Sequence, residues 1–241
     1  MAVHAVFERK SGKARGVLVL ALLITAVVAA AAVTFVSYVL WPTWPNLAAA
    51  PEAPAIPVTV AGVVFDVPPQ AIRTAMQRYS GPHDRIDLAF AWPSLTAPDS
   101  AAAKKPIVEP GDEIAVPADD RLFISIAGLG NVLPPLERLK TIYPRYTENQ
   151  ADAGPDGLAI LQFRGGSPYQ SEDLVYFAER PEEFFARCSK DSAALPGTCI
   201  HERLVDAASV SFRFPRAWLG DWRNLKAGFD RLIVSIHPAG K

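Results

Sequence analysis

The residues best able to do chemistry are few: two cysteines, Cys188 and Cys199, and four histidines in 241 residues. A redox dithiol favours C-x-x-C spacing, whereas ten residues, SKDSAALPGT, separate this pair around a Pro196 and Gly197 turn. A zinc site needs about four ligands in paired spacing, and only His201 stands nearby, so no metal site is expected. Two cysteines across a short polar turn between expected strands are best joined as a disulfide, in an oxidising compartment.

The other signatures fail on inspection. Gly165, Gly166, Ser167, Pro168 and Tyr169 lack the second glycine of G-x-S-x-G and put proline after the serine, so Ser167 reads as a turn residue. No phosphate-binding G-x-x-x-x-G-K-[ST] occurs, and Gly128, Leu129, Gly130 and Asn131 lack the remaining glycine of a dinucleotide fingerprint, so no cofactor is expected. His83 sits in a Gly-Pro turn beside Asp84 and Arg85, and His201 alternates with apolar neighbours as a cross-strand polar contact would. His237 ends the last expected helix, where a cation suits the negative dipole end. Adjacent acids at 119–120, 172–173 and 182–183 read as solvated edges or helix starts. No catalytic residue is assigned.

Aromatic and basic residues near expected loops are less bland: Tyr143, Arg145 and Tyr146 after a helix, and Tyr169 in the Gly-rich turn. Brought together, they would form a platform for gripping a peptide or stacking on a glycan. Kept apart, Tyr143 completes a helix face and the others are rim residues.

The elements that must position these groups begin with an anchor. Val17 to Leu40 runs 24 residues without a charge, roughly 36 Å of helix at about 1.5 Å per residue, enough to cross a bilayer. Arg9, Lys10, Lys13 and Arg15 precede it, while residues 41–57 hold no Lys or Arg, which predicts a cytoplasmic amino terminus. Tyr38, Trp41 and Trp44 suit the far headgroup layer as interfacial anchors. A cleaved signal is the competing reading, because Ala48, Ala49 and Ala50 offer a cleavage site, but its apolar region usually runs about 7 to 15 residues. Ala26, Ala30 and Thr34 form a small-residue row, read here as apolar filler.

These features predict a short basic cytoplasmic tail (1–16), a transmembrane helix (17–40), an Ala/Pro-rich linker (41–57) and an extracytoplasmic domain (58–241). Removing the residues before position 58 leaves 20 Lys and Arg against 23 Asp and Glu, a net charge of −3 for the domain. No basic field covers the whole chain, so no nucleic-acid partner is expected.

Within the domain the pattern predicts strands at 58–67, split around Ala61 and Gly62, and at 85–92, 121–127, 158–163, 174–177, 184–188, 199–204 and 210–214. Period-two burial of Ile86, Leu88, Phe90 and Trp92 is the clearest case. Helices are predicted through Ile72, Met76 and Tyr79, through Leu136, Leu139 and Ile142 or Tyr143 to a stop at Pro144, and from Pro215 onward, with a break near Gly220. Residues 93–120 read as a long surface loop carrying a short strand. The whole predicts an α+β fold, a mostly antiparallel sheet with helices on one face.

An anchor, a spacer and a domain without catalytic motifs predict a non-enzymatic, single-pass protein of the inner (plasma) membrane, its domain periplasmic or extracellular. Its partners would be the lipid bilayer, through residues 17–40, and an envelope protein. A membrane-tethered envelope hydrolase is the alternative, since the two acids of a glycosidase need only meet in space. A deep pocket lined by His201 or clustered carboxylates would favour it. A glycan or small-ligand sensor is a third reading, marked by a groove between the 93–120 loop and the Tyr169 turn.

Overall fold

The computed structural model describes residues 5–40, 53–98, 120–192 and 195–237, with the side chains of the first helix described over 16–36. The chain divides into two units, Met1–Leu47 and Ala48–Lys241.

The first unit is one helix, α1 (Ala5–Leu40). Its segment Gly16–Val36 has a mean hydropathy of 2.8 and buries none of its surface against protein. Thr25 and Thr34 donate their hydroxyls to the carbonyls of Ala21 and Ala30, at 2.9 and 2.8 Å. These hydroxyls are therefore satisfied within the helix, as an apolar solvent would require. Trp41 and Trp44 lie outside the described residues, as does the side chain of Tyr38, and most of the 41–57 linker does too.

The second unit is α+β, as the alternation of patterns predicts. Strands β1 (Ile56–Val60) and β2 (Val63–Val67) form a hairpin, in register from Ile56 opposite Val67 to Val60 opposite Val63. Ala61 and Gly62 turn it with φ of 51° and 81°, the left-handed pair that a two-residue hairpin loop demands. Strand β3 (Gly81–His83) adds to β1 in parallel. Every other pairing is antiparallel.

Eight strands make the large sheet: β4 (Arg85–Ala91), β5 (Arg121–Gly128), β6 (Asp152–Ala153), β7 (Leu158–Gln162), β8 (Glu172–Phe177), β9 (Phe185–Ser189), β10 (Thr198–Val205) and β11 (Ala208–Pro215). Their spatial order is β4-β5-β11-β10-β9-β8-β7-β6. Cys188 stands opposite Cys199 across β9 and β10, and the two form a disulfide.

Period-two alternation sends Leu122, Ile124 and Ile126 of β5 and Val210, Phe212 and Phe214 of β11 to one face. The amphipathic helix α3 (Trp222–Ile236) covers that face with Trp222, Leu225, Phe229, Leu232, Ile233 and Ile236, and β1 and β2 add Val58, Val60, Phe65 and Val67. Phe229 lies 4.2 Å from the Phe212 ring centroid, and each such fully buried aromatic contributes about 2–3 kcal/mol. Gly228 admits the Trp92 ring to the helix surface: a Cβ there would stand 2.5 Å from Trp92 Cζ3.

The short helix α2 (Pro135–Thr141) lies on the other face, where Leu139, Tyr143, Phe163, Leu174 and Phe185 form a second, smaller core. The expectation of helices on one face thus holds for α3 and not for α2. Consecutive Phe184 and Phe185 serve the two cores in turn because a strand alternates its sides.

Other expectations change as well. The helix predicted through Met76 and Tyr79 is two 3-10 turns, Pro69–Ala71 and Ala75–Gln77. Ile72 bridges to Leu88 with extended backbone and is buried, while Met76 is 84 % and Tyr79 52 % exposed, so the helical spacing marks no common face. Pro144 does not end α2, which stops at Thr141; it sits inside a 3-10 turn, Tyr143–Arg145. The closing helix starts at Trp222, after a 3-10 stretch Arg216–Asp221 that contains Gly220. Of the 93–120 loop and its expected short strand, residues 99–119 lie outside those described, and residues 93–98 hold no strand.

Candidate interaction surface

The strand alternation that builds the core also fixes what the opposite face carries. Register aligns Phe123 (β5), Arg213 (β11), Ile200 (β10), Arg187 (β9) and Leu174 (β8) in one row across the sheet. The next row holds Asp87, Ser125, Ser211 and Glu202. Helix α2 lies against β10, and its following turn packs over β7–β9. Over β4, β5 and β11 the side chains are short, leaving a trough of about 340 Å³ floored by Ser125, Ala127, Ser209 and Ser211.

Arginines form its walls. Arg85 pairs with Asp87 at 2.8 Å and is largely exposed. Burial pushes the Asp87 carboxyl up, and hydrogen bonds from Ser125 and Arg85 outweigh that, holding it below 3.8. Arg138 bonds the Leu133 carbonyl (3.0 Å), the Tyr143 hydroxyl (3.3 Å) and Glu202 (3.0 Å). Burial disfavours its charge, but the Glu202 hydrogen bond and the electrostatic pull of Tyr143, Glu202 and Tyr169 together more than offset this, and its pKa is raised. Arg187 pairs with Glu172 at 2.7 Å, and its Nε is buried without a hydrogen-bond partner. Arg213 is exposed and forms no ion pair among the described residues.

The fold brings three of the four sequence-selected residues together. Tyr143 and Tyr169 stack edge to face at 5.6 Å, and Tyr146 and Tyr169 at 6.0 Å. The Arg187 guanidinium lies 5.2 Å from the Tyr169 ring centroid. Tyr143 itself is fully buried, and burial raises its hydroxyl pKa against the pull of Arg187 and Arg138. It is therefore a core residue that props the rim, because the turn after α2 folds its ring inward against Phe163 and Leu174. Tyr146 and part of Tyr169 face outward; Arg145 is exposed and takes no part in the ring stack.

His201 occupies a different cleft, of about 390 Å³, where β10 runs beyond its short pairing with β9. Its ring lies between Phe184 (5.3 Å) and Phe229 (5.4 Å), and its Nδ1 is 2.8 Å from the Phe185 carbonyl. A carbonyl only accepts, so Nδ1 carries the proton and Nε2 is bare. Burial pushes its pKa down to about 4, which keeps the ring neutral at pH 7. Four acids line this cleft: Glu202 is paired with Arg138, Glu183 with Arg180, and Asp230 with Arg203 and Lys226, while Glu182 forms no ion pair among the described residues. No serine, threonine or cysteine lines it. A buried imidazole with so low a pKa is a weak base at neutral pH.

Among the described residues, no three His, Cys, Asp or Glu side chains converge to hold a metal ion. The groove expected beside the Tyr169 turn involves residues 99–119, outside those described.

Sequence reasoning missed the arginine trough because it scored the apolar half of each strand. The signal lay in the other half: Ser209, Ser211 and Arg213 alternate with Val210, Phe212 and Phe214, and Arg121, Phe123, Ser125 and Ala127 alternate with Leu122, Ile124 and Ile126.

No family model and no curated protein sequence matches this chain. The fold is similar to the solved structure of an immunity protein of the Stenotrophomonas maltophilia type IV secretion system. That likeness has a TM-score of 0.50 at 15% identity, covers 75% of this chain and 92% of the other, and extends to the fold alone.

Proposed function

We propose that this chain is a single-pass protein of the inner membrane, with a cytoplasmic tail (1–16), a spanning helix (17–40), a linker (41–57) and a periplasmic or extracellular domain (58–241) that binds an envelope protein without catalysing a reaction. The observation that carries the reading is the arginine-walled sheet face beside α2, where Arg187 of the wall lies 5.2 Å from the half-buried Tyr169 ring. Arginine and tyrosine are the side chains that protein interfaces favour. The apolar stretch Gly16–Val36 supports the anchor, and the disulfide supports an oxidising compartment. The fold neighbour is an immunity protein of a secretion system, so an immunity role is the form of partner binding to test first.

The test is mild crosslinking in native membranes, then purification of tagged full-length protein and mass spectrometry, against a control truncated after residue 57. The reading expects a stoichiometric protein that depends on residues 58–241. Recovery of only lipid and background from both forms would count against it.

A further inference from the structure

We infer that the trough over β4, β5 and β11 receives carboxylate side chains from an acidic segment of the protein partner; this rests on the partner-binding reading above. The trough combines room with unspent positive charge. Its floor of Ser125, Ser209 and Ser211 lets an incoming chain approach the sheet backbone closely. Arg213 stands over that floor without an acidic partner among the described residues, and the Arg187 Nε lacks an acceptor. A planar guanidinium takes a carboxylate through two parallel hydrogen bonds, which fixes orientation as well as affinity.

Charge complementarity identifies the occupant. Strands β4, β5, β9 and β11 turn Arg85, Arg121, Arg187 and Arg213 to this face, and Arg138 and Arg73 lie over it, the latter 4.6 Å from the Phe123 ring centroid. Among the described residues, Asp87, Glu172 and Glu202 are the acids that oppose these six, whereas the domain as a whole carries 20 Lys and Arg against 23 Asp and Glu. An acidic segment is thus drawn to this face and repelled by much of the rest. The rim argues for a protein: Val132, 56 % exposed, lines the trough, ready for an apolar side chain flanking the acids. Among the described residues, no aromatic ring lines the trough to stack on a base or sugar.

The experiment uses the full chain in uncharged detergent micelles and a fluorescein-labelled peptide of alternating Glu and Val, read by fluorescence anisotropy. The Glu peptide should bind, weaken as salt rises, and lose at least about tenfold in affinity in the Arg85→Glu/Arg213→Glu variant. Arg180→Glu, remote from the trough, should leave binding unchanged. Arg85→Gln/Arg213→Gln serves should the double reversal fail to fold, with a smaller loss in the same direction. Equal affinity in wild type and both trough variants would overturn the proposal. So would equal binding of the matching Lys peptide, or displacement by inorganic phosphate as readily as by free Glu peptide. The membrane crosslinking above, repeated with Arg85→Glu/Arg213→Glu, separates the two levels. A partner retained by the variant overturns the trough alone; the absence of a partner for any form, with peptide binding intact, overturns the partner reading alone.

Discussion

Acidification from pH 6.5 to about 4 should destabilise this domain through His201. Its ring is buried between Phe184 and Phe229, with Nδ1 held by the Phe185 carbonyl. The folded value of about 4 lies below the ordinary 6.5, so the unfolded chain takes up a proton, between those values, that the folded chain refuses. His201 therefore favours the fold fully above pH 6.5, and the contribution is lost as pH falls from 6.5 to about 4. With 1.36 kcal/mol for each tenfold change in proton affinity, the loss totals about 3 kcal/mol, a large part of an ordinary domain's stability. His201→Phe supplies the comparison: it keeps an aromatic ring in the stack but strips the Phe185 carbonyl of its donor, at about 1 kcal/mol at neutral pH. The variant should be less stable than wild type at pH 7.5 and more stable at pH 4.5, the order reversing between about pH 5 and 6. Urea unfolding of the full chain in micelles, followed by tryptophan fluorescence across that range, measures both. Every other titrating group cancels in the difference, so parallel pH profiles for the two proteins would refute the burial argument.

Reducing the Cys188–Cys199 bond opens a loop of sequence separation 11 and should cost about 3 kcal/mol, seen as a lower urea midpoint with dithiothreitol than without. Gly228→Ala should destabilise by about 1–3 kcal/mol, because the new methyl meets the Trp92 ring; a thermal melt reads this, and an unchanged midpoint would show that the ring moves away freely. Trp222→Phe gives up the indole bond to the Asp156 carbonyl (3.0 Å) and part of a buried ring, an expected loss of about 2 kcal/mol in the same assay. Met76→Cys, at a position 84 % exposed, should react with a membrane-impermeant maleimide in spheroplasts, since the native cysteines are bonded to each other. Labelling only after lysis would contradict an extracytoplasmic domain.

How legible the fold was depended on where a pattern could have only one cause. Strict alternation at Ile86, Leu88 and Phe90 allows only a half-buried strand, and the helical spacing of Trp222, Leu225, Phe229 and Ile233 allows only an amphipathic helix. Ile72, Met76 and Tyr79 were ambiguous: three residues at near-helical spacing mimic a face, and only the distant bridge from Ile72 to Leu88 decides against it. Two-sided burial blurred the second core, since a sheet packed on both faces at β8 and β9 loses its alternation there. Selecting Tyr143, Tyr146 and Tyr169 found a real cluster, but spacing along the chain cannot tell a ring turned inward from one turned out. The arginine trough was harder still, because Arg85, Arg138, Arg187 and Arg213 come from four separate elements and only the strand order β4-β5-β11-β10-β9, with α2 laid over it, brings them together.

The central claim is that the open sheet face holds a protein partner at the membrane. Its most direct measurement is site-specific photocrosslinking in native membranes, with the probe at Val132 on the rim of the trough or at Val234, 68 % exposed on α3. The account predicts one discrete heterologous adduct from Val132 and none from Val234. No adduct at Val132, or the same adducts from both positions, would contradict it.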